Sequence, residues 1–317
     1  MSERPAPGEV SRVAVLGAGT IGASWAALFL ARGFAVEAFD PDPASEGRVR
    51  RFVEQAWPSL ERLGLAERGD PARLRFHGEA ARAAREAQLV QESVPERLDL
   101  KLETYRAIEP ALAPGTVVAT STSGLLLSDL QQGFARPERL VLAHPFNPPH
   151  LIPLVELLGD AATDESAVAW AAAFYARCGK TTIRLRRQVP GHVANRLQAA
   201  LWREAIHLVS EGVASVADVD RAIVEGPGLR WAVMGPHMLF RLGSGGAGIE
   251  AFCTRFGPSI ESWWRDLGRP ELGAEVVAKL AEGLDEEAAG RSDTELAEAR
   301  DAMLVALLRT RSGESAG

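Results

Sequence analysis

Val13-Ala14-Val15-Leu16-Gly17-Ala18-Gly19-Thr20-Ile21-Gly22 is the stretch that decides the fold. Its first four residues form a short apolar run, which fits a strand buried on both faces. A glycine turn follows, and Ala23 to Ala31 carries a helical pattern that Arg32-Gly33 ends. Ala35 to Phe39 reads as a second strand, closed by Asp40 and broken by Pro41 and Pro43. Strand, turn, helix and strand within about thirty residues make the βαβ unit of a parallel sheet. Gly17 permits the tight turn, Gly19 lets backbone approach a pyrophosphate, and Gly22 lets the helix pack close to the sheet. The phosphates then lie on the first N–H groups of that helix, around Thr20 and Ile21. Asp40 suits an adenosine ribose diol and repels a 2′-phosphate, and Pro41-Asp42 offers no arginine in its place. The expected cofactor is therefore NAD rather than NADP. The plainer alternative is a structural glycine turn ahead of a packed helix.

Working outward, the alternation continues. A helical stretch covers 44–65, and strands are expected at 88–92, 116–119, 140–143, 154–157 and 181–185, with helices near 98–112 and 164–178. After Pro190-Gly191 almost everything reads as helix, over 192–211, 215–225, 246–265, 274–287 and 293–310, with glycine-rich breaks at 226–228 and 243–248. The expected fold is α/β: a Rossmann-like, doubly wound parallel sheet over 1–188, then an all-α domain over 189–317.

A length of 317 residues suits two domains at about 150 residues each. Apolar residues at 46% and charged residues at 24% place the chain among ordinary globular proteins. A formal charge of −7 without a basic stripe argues against nucleic acid as a partner. Two cysteines, Cys178 and Cys253, make no disulfide framework and suit a reducing cytoplasm. Neither a signal-peptide apolar region nor a membrane-length apolar stretch is present, so no membrane association is expected. No HExxH or CxxC motif occurs, so no metal is expected. The helical domain is small and is expected to complete its core in a homodimer.

His144 follows the strand at 140–143, in Ala143-His144-Pro145-Phe146-Asn147-Pro148-Pro149. That is the carboxyl end of a strand, where open α/β sheets bind ligands. Glu156 lies inside Leu154-Val155-Glu156-Leu157-Leu158, and a carboxylate among buried aliphatics needs a partner. A histidine is a natural one: the acid fixes its tautomer and leaves the other ring nitrogen to take a proton. A core histidine bonded to backbone, with Glu156 reaching solvent, fits the spacing equally.

Four further stretches join the glycine loop in one pattern: Gln91-Glu92-Ser93-Val94-Pro95-Glu96, Thr120-Ser121-Thr122-Ser123, His144 through Leu158, and Val189-Pro190-Gly191-His192-Val193-Ala194-Asn195-Arg196. Over nearly the whole chain this pattern resembles the 3-hydroxyacyl-CoA dehydrogenase superfamily. The resemblance implies an active site between the two domains, with His144 as general base and Glu156 as its orienting acid. It implies that Ser123 and Asn195 hold the reacting oxygen, and that Asn147 and Ser123 lie near cofactor and substrate. Glu96 and Lys101 then lie along the nicotinamide half of the cofactor. The bland alternatives are a helix cap for Ser123, a solvated pair for Glu96 and Lys101, and a loop contact for Asn195.

The doubled proline and Ile152-Pro153-Leu154-Val155-Glu156-Leu157 resemble the branch of that superfamily acting on L-carnitine or L-gulonate, the lambda-crystallin relatives. Glu225-Gly226-Pro227-Gly228-Leu229-Arg230-Trp231 and the residues up to Pro236 are more similar to its carnitine-oxidising members. The implied reaction is NAD-dependent oxidation of the 3-hydroxyl of a small 3-hydroxy acid, L-carnitine first. Aromatic faces hold quaternary ammonium groups at about 0.5–2 kcal/mol per contact, which points to Trp231. Arg230 suits the carboxylate through its planar fork. A core or interface role is the plainer reading of Trp231, and His237 and Arg241 suit a more anionic substrate. Three alternatives stay open. One is a short-chain L-3-hydroxyacyl-CoA dehydrogenase, its CoA phosphates met by Arg48, Arg50, Arg51 and Arg62. The others are an L-gulonate 3-dehydrogenase and a non-enzymatic dinucleotide-binding structural protein.

Overall fold

The computed structural model describes residues 4–313. By contact the chain divides into two units, residues 4–194 together with 301–313, and Asn195–Arg300. Residues 189–194 group with the first unit, and the N–H groups of Val193 and Ala194 are tied to Glu156 there.

Among the described residues the first unit holds one eight-stranded sheet. Its strands are β1 (Arg12–Leu16), β2 (Ala35–Phe39), β3 (Leu74–His77), β4 (Leu89–Glu92), β5 (Val117–Thr120), β6 (Leu140–Pro145), β7 (Leu154–Leu158) and β8 (Thr181–Arg184). The order is β3-β2-β1-β4-β5-β6-β7-β8. The helices between are α1 (Thr20–Ala31), α2 (Ser45–Arg62), α3 (Ala80–Ala84), α4 (Leu98–Ile108), α5 (Leu127–Gln131) and α6 (Glu165–Arg177).

The strands are short apolar runs because both faces are covered. In β1, Val13 and Val15 join a core with Trp25 and Phe29 of α1, Val49 and Val53 of α2, and Phe174 and Tyr175 of α6. Ala14 and Leu16 face the other way and join Ala83 of α3, Tyr105 and Ile108 of α4, and Leu127 and Leu130 of α5. The sheet is the expected doubly wound one, with a refinement at one edge. β1 to β6 run parallel, whereas β7 runs antiparallel to β6, and β8 is parallel to β7. A parallel return needs a crossover of a dozen or more residues, and the connection 146–153 is too short for one. Chain order reverses between β1 and β4, so the crevice at their carboxyl ends is the topological switch point.

The second stretch of the chain is helical: α7 (Ala194–Ser210), α8 (Val216–Ile223), α9 (Leu229–Trp231), α10 (Pro236–Leu242), α11 (Gly248–Asp266), α12 (Ala274–Ala288) and α13 (Asp293–Ser312). Ser215 starts α8 by accepting the N–H of Asp218, the usual work of an N-cap serine. Among the described residues no helix is long and apolar enough to cross a membrane.

Candidate active site

The glycine loop connects β1 to α1. Gly17 adopts φ +86°, a left-handed conformation, and a Cβ there would stand 2.5 Å from the Ser93 carbonyl after β4. A Cβ on Gly22 would collide with the carbonyl of Gly17. A Cβ on Gly19, by contrast, would meet no atom within 4 Å. Gly19 is the residue before the first turn of α1, and among the described residues no side chain caps that turn. The N–H groups at Thr20 and Ile21 are thus the open donors of a helix N-terminus, beside a glycine whose Cβ position is open space. Asp40, just beyond β2, accepts the Ala18 N–H at 2.8 Å and the Asp42 N–H at 3.0 Å. Its carboxylate is fixed beside the loop with lone pairs left for a diol. These residues fit an adenine dinucleotide.

At the carboxyl end of β4, Glu92 is fully buried. It accepts Lys101 Nζ at 2.7 Å, the Tyr105 hydroxyl at 2.5 Å, the Thr120 hydroxyl at 2.8 Å and the Val94 N–H at 2.8 Å. Lys101 is therefore buried inside this cluster, 3.6 Å from Glu96. Glu96 gathers the Ser123 loop: it accepts the Thr122 hydroxyl at 2.6 Å and the N–H groups of Ser123 and Gly124, both at 2.8 Å. Burial pushes the Glu96 carboxyl up, but these hydrogen bonds and the nearby Lys101 charge outweigh it and hold it below its ordinary value. Ser123 is exposed, and α5 starts at Leu127 with Leu126 before it, so Ser123 is not that helix's cap.

His144 and Glu156 stand directly opposite each other in the β6–β7 register. His144 Nδ1 lies 2.9 Å from Glu156 Oε2, and Glu156 Oε1 accepts the N–H groups of Val193 at 2.9 Å and Ala194 at 3.0 Å. Both side chains are buried. Burial pushes Glu156 up, yet the His144 bond and the two peptide N–H groups hold its carboxyl below the ordinary range. A carboxylate only accepts, so Nδ1 carries the hydrogen in this bond.

The connection after His144 is anchored at both flanks. The Ser24 hydroxyl of α1 accepts the His150 N–H at 2.8 Å and lies 2.9 Å from His150 Nδ1. Lys180 Nζ donates to the carbonyls of Pro149 and Ile152. Asn147 is exposed at the tip of this connection. Glu92, Thr122, His150, Lys180 and His192 were assigned no role from sequence. For Glu92 the signal was present: a carboxylate ending the apolar run Leu89-Val90, as telling as the one that singles out Glu156.

Asn195, Arg230 and Trp231 belong to the second unit. Arg230 and Trp231 are both exposed, in the one-turn helix α9 after the glycine break. Of the arginines considered for CoA phosphates, Arg48 pairs with Asp42, Arg50 with Glu46, and Arg62 with the Ser59 hydroxyl. Among the described residues no group of three His, Cys, Asp or Glu is placed to hold a metal.

Comparison with known proteins accords with this geometry. Residues 12–189 match the family model of the 3-hydroxyacyl-CoA dehydrogenase NAD-binding domain, and residues 191–283 match that family's C-terminal domain. The chain belongs to the 3-hydroxyacyl-CoA dehydrogenase family. It is an NAD-dependent oxidoreductase of that family, with NAD as its cofactor. An L-carnitine dehydrogenase of Streptomyces coelicolor is 51% identical over 96% of this chain and 95% of its own length. One from Pseudomonas putida is 42% identical over 95% of this chain and 94% of its own. Among solved structures, an NAD+-dependent dismutase named 5-formyl-3-hydroxy-2-methylpyridine 4-carboxylic acid 5-dehydrogenase superposes with a TM-score of 0.82. It is 31% identical, over 96% of this chain and all of that one.

Proposed function

We propose that this family member oxidises the 3-hydroxyl of L-carnitine to 3-dehydrocarnitine, with His144 as the base and Glu156 as its orienting acid. The observation that carries the chemistry is the buried His144–Glu156 hydrogen bond at 2.9 Å, in a strand register that sets the two residues face to face. The substrate rests on the near full-length likeness to proteins named L-carnitine dehydrogenase.

His144 Nε2 takes the hydroxyl proton as the C3–O bond becomes a carbonyl. Glu156, ionised and tied to two peptide N–H groups, stabilises the imidazolium that results. Ser123 and Asn195 donate to the oxygen, where alkoxide character develops. The bound dinucleotide supplies the hydride acceptor; the glycine loop and Asp40 hold it, with Glu96 fixing the Ser123 loop beside it. Trp231 offers an aromatic face to the trimethylammonium group and Arg230 a fork to the carboxylate. Arg48, Arg50 and Arg62 of α2 are engaged by neighbours on or beside their own helix, which favours a small acid over a CoA ester. A second copy of the chain completes the helical unit as a homodimer.

The test is NADH formation at alkaline pH with L-carnitine, D-carnitine, L-gulonate, 3-hydroxybutyrate and 3-hydroxybutyryl-CoA. Selective turnover of L-carnitine is the expected result. Turnover of the CoA ester alone would overturn the substrate while leaving the His144 chemistry in place.

A further inference from the structure

A second histidine stands beside the first. His192 is 1% exposed, and its ring centroid lies 5.0 Å from that of His144, with the planes tilted by 54°. Its backbone is left-handed, φ +51°, a region that histidine enters more readily than most side chains. That turn precedes Val193 and Ala194, whose N–H groups both reach Glu156. Its Nε2 lies 3.1 Å from the Thr122 carbonyl. A carbonyl only accepts, so Nε2 carries a hydrogen there. Nδ1 is buried with no hydrogen-bond partner among the described residues.

We propose that His192 is a positioning residue that acts through His144: its neutral imidazole, clamped by Thr122 and packed on the catalytic ring, holds an unshared lone pair beside the site of developing positive charge. This rests on His144 being the base. A buried acceptor without a donor is costly, and nearby positive charge relieves that cost. Two outlets exist, protonation of His192 itself or of its neighbour. Burial opposes the first most strongly, and the proximity of His144 adds to that; the Thr122 bond, Glu156 and Glu96 pull the other way without prevailing. His192 therefore stays neutral and keeps its lone pair turned toward the His144 side of the site. The same residue joins three parts of the site through one side chain and one turn: the Ser123 loop at Thr122, the strand bearing His144, and the carboxylate of Glu156.

Two variants separate this from simple packing. His192→Phe keeps an aromatic ring and removes the lone pair, and His192→Asn keeps a side chain that tolerates the left-handed turn. Both are first checked for thermal unfolding and NAD binding. In His192→Phe, the acid limb of the kcat/KM profile is expected to move to lower pH by on the order of half a unit. An unmoved limb overturns the proposal. So does a limb that moves to higher pH, because that marks His192 as a cation in the native enzyme. The second readout needs no turnover. 15N spectra of imidazole-labelled protein, with His192 assigned by its loss in His192→Asn, are expected to show a bare Nδ1 and a protonated Nε2 between about pH 5 and 8. Protonation of Nδ1 in that range overturns the proposal even if L-carnitine proves to be the wrong substrate.

Discussion

Glu156 is fully buried, its carboxyl is held below the ordinary range, and on the proposed mechanism its charge decides what His144 can do. With Nδ1–H held by the carboxylate, the proposed proton transfer falls to Nε2. His144→Ala is expected to lower kcat by about 10²–10⁴-fold while NAD binding, measured by fluorescence titration, is unchanged. Glu156 also links the site to stability. Its folded pKa lies below the unfolded one, so its contribution is present above about pH 4.5 and is lost as pH falls through the folded value. Urea midpoints taken from about pH 6 down to pH 3 should therefore fall more steeply for the native chain than for Glu156→Gln; equal slopes would refute the linkage. The glycines divide in the same residue-by-residue way. Gly22→Ala would force a methyl into the Gly17 carbonyl and cost about 1–3 kcal/mol of stability. Gly19→Ala has room to fold, so its melting temperature should hold while NAD binds about tenfold more weakly. These glycines, Asp40 and Glu156 stand out in the sequence because each breaks a local pattern: glycine in a turn, acid after a strand, acid among aliphatics. His192 breaks none. Its left-handed backbone and its approach to His144 arise only from tertiary structure.

The element that carries His144 was legible as a strand but not in its direction. Short apolar runs look alike in parallel and antiparallel pairs, so the sequence left the facing of residues 144 and 156 undecided. The register Leu142 to Leu158, Ala143 to Leu157 and His144 to Glu156 decides it. β3 was missed for a related reason. Leu74-Arg75-Phe76-His77 is a four-residue edge strand with charged or polar residues at alternate positions, too short and too polar to stand out from a loop. The connection 146–153 gained its order from elsewhere in the chain, from Ser24 and above all from Lys180. The Lys180 ammonium is buried, donates to two carbonyls and lies 5.3 Å from the Trp25 ring centroid. Burial pulls its pKa down from 10.5 to about 7. Between those values the unfolded chain binds more protons than the folded one, so the penalty of burying the ammonium is full below about pH 7 and relaxes as pH rises. Denaturation of the native chain and of Lys180→Met, compared at neutral and alkaline pH, should show the native chain gaining stability relative to the variant. A constant difference across that range would mean that the lysine does not lose its proton there.

At the scale of the whole molecule, the shift to helix after Pro190-Gly191 was plain in the sequence, whereas the use of the helical surface was not. Helical periodicity tells which side of a helix is apolar; it is silent on what covers that side. Within Asn195–Arg300, the buried apolar residues are Ile206, Val216 and Val219, among the described residues. Over the same span Leu197, Trp202, Leu229, Val233, Trp263 and Trp264 are each more than half exposed. Three buried side chains are too few to hold six helical segments, α7 to α12, by their own burial, since each contributes only about 1.5–3 kcal/mol before the entropy of ordering the chain is subtracted. On the proposed homodimer the exposed side chains would supply the apolar cover that the unit lacks. A second copy of the chain is the partner that the chain itself supplies, and a two-fold pairing would let each helical face serve as the cover for its equivalent. Sedimentation equilibrium is therefore expected to give twice the 34.0 kDa chain mass at micromolar concentration. On the proposed pairing, Trp202→Asp combined with Trp263→Asp should lower both that mass and the melting temperature, because separation of the pair would uncover the helical unit. A native chain that sediments as a monomer and remains fully active would remove the dimer from this account. The His144–Glu156 site, built wholly within residues 4–194, would stand unchanged.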